Sequence, residues 1–288
     1  VARRLLRTLG RLDRWRLTYW VKRIIVLPIG ERFGLIAVTA AFFSPRVTFL
    51  ALLSWGAVAA AYALLGRMVR SVVRSHDKGR DVSGAFNALQ TYRDDGPLAR
   101  AIGAVAAKAV PLNEVALALI GAGVLAAAAA TLKQPVPDLL LAVVAAVVLI
   151  GAGSARSHFG RFAWVVPPLL RALEYGFLIR LTVLAEPDAL PLCFALLAAL
   201  AFHHYDTVYR IRQQGVAPPH WIGLIGGGWD ARMLIAVVLA AVGLLGPGML
   251  VAGAVLGTIY VTESISGWRR HVRASRPAVV DEEEGADE

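Results

Sequence analysis

An apolar run ends in the stretch FHHYDTVYRIR, residues 202–212. Because ionisable side chains follow directly on apolar residues, this stretch indicates the point where a membrane helix meets water. On a helix His203, Asp206 and Arg210 recur at i, i+3 and i+7, so one face carries an acid/base pair and a cation. The adjacent His204 diverges from His203 by about 100°, so only one of the two histidines can share a site with Asp206.

The composition is that of an integral membrane protein. Apolar residues make up 57% of the 288 residues, the mean hydropathy is +0.61, and several long segments carry few charges. The net charge of +10 comes mostly from basic residues that flank apolar segments, which favours anionic lipid over nucleic acid as the partner. A single cysteine, Cys193, excludes a disulfide framework and a cysteine metal site, and packing is its expected role.

Eight apolar segments predict an all-α bundle of about eight membrane spans. They lie at about 24–43, 47–65, 112–132, 136–155, 165–184, 188–207, 230–246 and 248–266. Basic residues concentrate on alternate loops, so both termini are predicted to be cytoplasmic and the protein to cross the cell's inner (plasma) membrane several times. Gly246-Pro247-Gly248 is predicted to separate the last two spans. Gly151, Gly153 and Gly253 predict close helix packing.

Four regions follow from this pattern. Residues 1–75 hold a basic interfacial segment and two helices, and residues 76–111 are predicted to be a cytoplasmic linker with an interfacial helix. A six-helix membrane domain follows at 112–273. The acidic tail at 274–288 is predicted to be disordered.

Charged groups within or beside the spans predict a polar pocket, because such groups cost at least a few kcal/mol unless they face protein or water. The candidate residues are Arg171, Glu174, His203, His204, Asp206, Arg210, Asp230, Arg232 and Glu263. Arg171 lies at i−3 from Glu174, where it can pair with it. The alternatives are an internal ion pair that joins two helices, and ordinary interfacial residues at the end of a span.

A glycine-rich turn, Gly226-Gly227-Gly228, precedes one of the spans. Asp230 is predicted to cap the helix that follows the turn. Such a turn can also cradle a phosphate through its amide groups. The turn lacks the Lys-Ser/Thr of a P-loop and does not follow a strand, so the phosphate signal is weak.

The segment DDGPLAR, residues 94–100, resembles the first half of the motif D-x2-D-G-x2-A-R-x8-G-x3-D-x3-D of CDP-alcohol phosphotransferases. The matching residues are Asp95, Gly96, Ala99 and Arg100, whereas Tyr92, Ala109, Asn113 and Leu117 occupy the remaining motif positions. Three of the four motif carboxylates are therefore absent. Two hard cations on a diphosphate need several carboxylates, so the segment is not predicted to be a metal site by itself.

A broader resemblance to the same family covers most of the chain. Residues 20–75, with YWVKR at 19–23, PIGERF at 28–33 and SPR at 44–46, look like the last two helices of a bacterial CDP-alcohol phosphotransferase domain. The remainder, with HYDTVYR at 204–210 and GGGWD at 226–230, resembles an uncharacterised membrane domain that follows such domains. The resemblance implies that the metal-binding aspartates lie upstream of Val1, and that Glu31 and Arg32 lie near the level of the cytoplasmic active site.

The resemblance implies a role in phospholipid or polyol-phosphodiester synthesis, in which a hydroxyl attacks a CDP-alcohol and CMP is released. This chain is then expected to bind substrate or organise a dimer. It is expected to hold no cofactor of its own, with Mg²⁺ or Mn²⁺ required only where the upstream aspartates are present. Membrane lipids, a CDP-alcohol or phosphorylated polyol, and a second copy of the chain are the expected partners. A transporter or flippase for a lipid-linked product and a non-catalytic membrane scaffold are the alternatives.

Overall fold

The computed structural model describes residues 24–25, 29–73, 93–107, 113–131, 138–155 and 162–274. Over these residues the chain is helical and contains no strand, which confirms the predicted all-α fold class. The basic segment 1–23, the first part of the linker and the acidic tail beyond residue 274 lie outside the described residues.

The α-helices are numbered in chain order. They are α1 (Ile29–Phe42), α2 (Pro45–Val73), α3 (Pro97–Ala106), α4 (Glu114–Thr131), α5 (Asp138–Ala152), α6 (Val166–Ala185), α7 (Leu190–Gln214), α8 (His220–Ile225), α9 (Gly228–Ala241) and α10 (Leu245–Ala274). Short 3₁₀ turns lie at Gly153–Ala155, Ala163–Val165 and Pro187–Ala189.

Among the described residues, five helical stretches are long and apolar enough to cross a membrane. They are Pro45–Val69, Glu114–Thr131, Pro187–Ile211, Trp221–Ala241 and Leu245–Arg273. Large apolar side chains remain exposed on these helices, such as Leu53 at 69% and Val251 at 62%. A membrane helix carries apolar side chains on the side that faces lipid as well as on the side that faces protein, so this exposure is typical of a membrane protein.

The chain divides into two compact units, residues 1–80 and 81–288. In the first unit α1 and α2 form a hairpin that turns at Ser44. The indole Nε1 of Trp55 donates a hydrogen bond to the backbone carbonyl of Ile24 at 3.1 Å. Phe33, Phe42 and Phe49 are all more than 60% exposed, so this unit presents broad apolar faces.

In the second unit α7 packs along α10, α4 packs against α5, and α6 lies against α4 and α9. Trp229, Met233 and Cys193 are fully buried in the core of this unit. The prediction of close packing at glycine is confirmed at Gly151, where an added Cβ would lie 3.1 Å from the Cα of Ala99 on α3. An added Cβ at Gly253 on α10 would lie 3.3 Å from the backbone of Leu196 on α7.

Several helix boundaries differ from the predicted ones. The helix α7 continues seven residues past 207 and ends where Gly215 adopts a left-handed conformation with φ 68°. The break between the last two helices falls at residues 242–244, around Gly243 with φ 71°, and not at Pro247. Pro247 lies in the first turn of α10. Proline has no backbone N–H, and it is tolerated there because the first N–H groups of a helix have no intrahelical partner.

The second half of the predicted linker differs most from expectation. Arg93, Asp94 and Asp95 are at most 8% exposed, and the helix α3 packs against α5 through Ala99 and Gly103. This segment is therefore part of the second unit. The apolar pattern alone did not predict this, because the groups that bury the segment lie on helices distant in sequence.

The close contact at Gly253 generates a stability prediction. We expect Gly253→Val to destabilise the second unit by about 1–3 kcal/mol, because the added atoms must push α10 away from the backbone of α7. Gly123→Val on α4 is the matched control, since nothing lies within 4 Å of a Cβ added there. Thermal unfolding in detergent measures both variants. Equal losses in the two would contradict a tight α7–α10 contact.

Candidate functional site

The site is organised around Asp94, which lies just before α3. Asp94 has a φ of 52° and is the one non-glycine residue with a positive φ among the residues described. Aspartate tolerates this left-handed conformation better than most side chains. The Asp94 carbonyl accepts a hydrogen bond from the backbone N–H of Trp229 at 3.2 Å, and its side chain is 8% exposed. The turn thereby directs a carboxylate into the helix bundle.

Arg232 on α9 binds this carboxylate. Its Nη2 donates to Oδ2 of Asp94 at 2.7 Å, and its Nε donates to Oε1 of Glu174 on α6 at 2.5 Å. The side chain of Glu174 is fully buried. A single guanidinium thus neutralises two carboxylates that come from different parts of the chain.

Arg171 completes the charge balance from the second turn of α6. Its Nη1 donates to Oε2 of Glu174 at 2.8 Å, which confirms the predicted i, i+3 pair, and its Nη2 donates to the carbonyl of Arg93 at 2.5 Å. The distance from Nη1 to Oδ2 of Asp94 is 3.6 Å. These two hydrogen bonds use two of the five N–H donors that a guanidinium carries.

His204 on α7 contacts the same carboxylate. Its Nε2 lies 3.2 Å from Oδ2 of Asp94, and its Nδ1 lies 2.8 Å from the hydroxyl of Tyr175. A carboxylate only accepts hydrogen bonds, so Nε2 carries the proton. In the neutral imidazole Nδ1 then accepts from the Tyr175 hydroxyl. The result is a continuous chain of hydrogen bonds from tyrosine through histidine to aspartate.

These six residues are called the Asp94 network below. Its members are Asp94, Arg171, Glu174, Tyr175, His204 and Arg232. Two carboxylates and two guanidinium groups balance, so the network is electrically neutral when the histidine is neutral. Burial by itself would raise the pKa of Asp94, but Arg232, His204 and Arg171 outweigh it and hold that pKa well below its usual range. Asp94 is therefore an anion that holds positive groups in place, and a poor general base.

The next residue, Asp95, has different partners. Its Oδ2 accepts from Nε of Arg93 at 2.7 Å, and its Oδ1 accepts from the indole Nε1 of Trp229 at 2.9 Å. Asp94 and Asp95 are thus each ion-paired with an arginine of this chain. The two carboxylates do not fit a shared Mg²⁺ or Mn²⁺ site. Among the described residues no group of three or more His, Cys, Asp or Glu side chains is placed to hold a metal ion.

Asp230 caps a helix other than the predicted one. Its carboxylate accepts from the N–H of Gly96 at 2.7 Å and from the N–H of Ala99 at 2.9 Å, so it caps the start of α3. The residue that precedes α9 is Gly227, with φ 71°. Asp230 is therefore not the N-cap residue of α9, because it is the third residue of that helix.

The glycine-rich turn packs against protein backbone. A Cβ added at Gly228 would overlap the backbone N and Cα of Gly96, and one added at Gly96 would overlap the carbonyl oxygen of Gly227. The backbone of Gly96 therefore lies against Gly228, on the turn where the sequence suggested a phosphate cradle. Glycine is required at these positions because two backbone segments touch.

The remaining candidate residues form a second group, called the Arg210 network. It contains Asp206, Arg210, Glu263, Ser264 and Trp268. Nη1 of Arg210 donates to Oε2 of Glu263 at 2.6 Å and lies 3.7 Å from Oδ2 of Asp206. Oδ1 of Asp206 accepts from the hydroxyl of Ser264 at 2.9 Å. These contacts join α7 to α10.

The structure thus divides the predicted pocket. Arg171, Glu174, His204 and Arg232 meet in the Asp94 network, whereas Asp206, Arg210 and Glu263 meet in the Arg210 network. The ring of His203 stacks on Tyr260 with centroids 4.1 Å apart, and it also lies against the ring of His204, with centroids 5.5 Å apart. The predicted shared face of His203, Asp206 and Arg210 is confirmed. The three side chains contact Tyr260, Ser264 and Glu263, which all lie on α10.

The residues carried over from the family motif also separate. Asp95, Gly96 and Ala99 are buried in the second unit, whereas Arg100 is exposed. Glu31 and Arg32 lie on α1 in the first unit, and both are exposed. The central residue that sequence reasoning missed is Asp94. Its signal was a pair of aspartates followed by Gly-Pro, a pattern that predicts a turn before a helix.

A family model described as a family of unknown function, DUF5941, matches residues 83–287. The chain belongs to the DUF5941 family. The match contains every residue of the Asp94 and Arg210 networks, so both lie within the DUF5941 region. Comparison with curated proteins gives no match, and comparison with solved structures gives none.

Arg232 generates the first prediction at this site. We expect Arg232→Met to destabilise the DUF5941 region by about 3–5 kcal/mol, because Asp94 and Glu174 would then share one arginine in a buried position. Arg269→Met, which removes an exposed arginine of α10, is the control. The free energy of unfolding is measured by SDS titration in mixed micelles. A loss below about 1 kcal/mol would contradict a central role for Arg232.

The glycine-rich turn generates the second prediction at this site. Gly228→Ala and Gly243→Ala both place a side chain at a positive φ, near 70°, but only the first also collides with the backbone of Gly96. We expect the Gly228 variant to lose about 1–3 kcal/mol more than the Gly243 variant. The midpoints of thermal unfolding in detergent provide the comparison. If the two variants are equally stable, the contact between Gly96 and Gly228 does not constrain the fold.

Proposed function

We propose that this chain is the C-terminal membrane portion of a CDP-alcohol phosphotransferase-type protein, and that its DUF5941 region binds the phosphate of the substrate. Arg171 and His204 are the proposed contacts. The observation that carries the proposal is the position of Arg171, whose side chain is 16% exposed beside two carboxylates that also pair with Arg232. His204 is exposed to the same extent.

Phosphate binding requires donors that do not have to break strong bonds first. The two hydrogen bonds of Arg171 leave three N–H donors, and its 3.6 Å separation from Asp94 is longer than a hydrogen bond. Arginine contacts phosphate oxygens with two parallel donors. Arg232 contacts both Asp94 and Glu174, so the two carboxylates keep a positive partner when Arg171 contacts a phosphate.

The topology we propose has eight spans with both termini in the cytoplasm of a bacterial cell, in the inner membrane. Support comes from the alternation of basic loops. Arg171 in the first half of α6 and His204 in the second half of α7 then both lie towards the cytoplasmic face, because the two helices run in opposite directions. A CDP-alcohol is supplied from that face. The upstream aspartates would bind the metal ions and carry out the transfer.

A non-catalytic scaffold that organises a dimer is the second candidate. The same network favours it, since a closed and neutral set of ion pairs joins the 93–96 segment to α6, α7 and α9 without any ligand. In that case Arg171 serves only to hold α6 against the 93–96 segment, through the carbonyl of Arg93.

The test uses the purified chain in detergent with Mg²⁺ or Mn²⁺, beside a version extended upstream. Binding of a radiolabelled CDP-alcohol and release of CMP are measured. We expect the chain to bind the ligand and the extended form alone to release CMP. Arg171→Ala should weaken binding by about tenfold to a hundredfold, the range for hydrogen bonds to a charged group.

Arg180→Ala is the matched control for this substitution. Arg180 lies on the same helix and also donates to a backbone carbonyl, that of Ala129, at 2.9 Å. The control should bind as the unaltered chain does. Unchanged binding in the Arg171 variant would remove the phosphate site and leave the scaffold. Release of CMP by the chain itself, lost on changing His204, would assign the chemistry to the Asp94 network.

A further inference from the structure

A groove of about 390 Å³ lies between the start of α8 and the second half of α10. Its walls include Trp221, Ile259, Thr258 and Thr262, and Glu263 and Arg270 supply the charges. The surface of the groove is mainly apolar. It is distinct from the Asp94 network and plays no part in the proposed binding of substrate.

Glu263 carries an unused acceptor at this groove. Its side chain is 8% exposed, and its Oε2 accepts from Arg210. Its Oε1 is buried and makes no hydrogen bond with the residues that the structure describes. Nη2 of Arg270 lies 3.5 Å from that oxygen, which is within ion-pair distance. A buried carboxylate oxygen without a donor is costly, so this atom indicates a donor supplied from outside the chain.

The charges around the groove favour a ligand with both signs. Asp206 and Glu263 are two buried anions that share one buried cation, Arg210, so the interior is negative by one charge. Arg270 is 67% exposed at the mouth of the groove and carries a positive charge. The inner end therefore suits a cation and the outer end suits an anion.

The depth of the groove in the membrane identifies the class of ligand. Glu263 lies 18 residues after Leu245, the first residue of α10, which corresponds to about 27 Å along the helix. This is close to the thickness of the hydrocarbon core, about 30 Å. Because α10 is one of the candidate spans, the groove lies at the level of the lipid headgroups when α10 crosses the bilayer.

We propose that this groove binds a zwitterionic phospholipid whose headgroup carries a primary ammonium, the chemistry of phosphatidylethanolamine. The ammonium donates to Oε1 of Glu263, and the phosphate pairs with Arg270. The acyl chains lie against the apolar wall that contains Trp221 and Ile259. A choline headgroup has no N–H to donate, and an anionic headgroup would meet the negative inner end, so both bind less tightly.

The test is native mass spectrometry of the delipidated chain in detergent, titrated with phosphatidylethanolamine. Phosphatidylcholine and phosphatidylglycerol with the same acyl chains serve as comparison lipids. We expect phosphatidylethanolamine to bind at least tenfold more tightly than either of them. Excess glycerophosphoethanolamine should not displace it, because the water-soluble headgroup lacks the acyl chains.

Three variants locate the site. Glu263→Gln should remove the preference for phosphatidylethanolamine over phosphatidylcholine. Arg270→Ala should weaken binding of both lipids, whereas Arg269→Ala, at the neighbouring exposed position, should bind as the unaltered chain does. Thr258→Trp fills the groove without removing a charged side chain and should abolish the specific binding.

The proposal is overturned if the unaltered chain binds phosphatidylethanolamine and phosphatidylcholine equally. It is also overturned if the preference survives in the Thr258→Trp variant. These two results do not depend on whether Glu263→Gln folds. Binding of CDP-alcohol should be unchanged in the Thr258 variant, so failure of this proposal and failure of the substrate site are distinguishable.

Discussion

The DUF5941 region depends on one electrostatic constraint: a carboxylate inside a helical membrane unit must have a positive partner or it cannot stay ionised there. Asp94 satisfies this constraint with Arg232, and Glu174 satisfies it with Arg171 and Arg232. The two pairs made by Arg232 join segments that are distant along the chain. The network therefore determines which helices meet, in a unit where apolar faces by themselves specify little because lipid is as apolar as a helix partner.

The glycines near Asp94 serve the same arrangement. Gly96 and Gly228 let two backbone segments touch, and this contact brings Asp230 onto the first turn of α3 and Trp229 onto Asp95. Glycine loses more conformational entropy on folding than any other residue, but no other residue allows so close an approach. The glycines thus allow the two backbone segments to touch, and the hydrogen bonds of Asp230 and Trp229 stabilise that contact.

The two networks suit different tasks. The Asp94 network is charge-balanced, with Arg171 and His204 as its accessible members, and the phosphate site proposed there rests on the remaining N–H donors of Arg171. The Arg210 network retains an excess of negative charge and an acceptor without a donor, which favours a cationic group. If both sites act, the region holds a substrate phosphate by one end of the bundle and a membrane lipid by α10. DUF5941 is a family of unknown function, so both proposals rest on the side-chain geometry.

The sequence by itself determined the all-α membrane class, the pairing of Arg171 with Glu174 and the close packing at Gly151, because hydropathy, i, i+3 spacing and small residues act locally. It did not determine that Asp94 is the centre or that Asp230 caps α3. Those facts depend on which helices pack together, since a buried charge is stabilised by partners over a hundred residues away, such as Arg232 for Asp94. Only the tertiary structure decides which distant groups meet, and therefore how the predicted pocket divides into two networks.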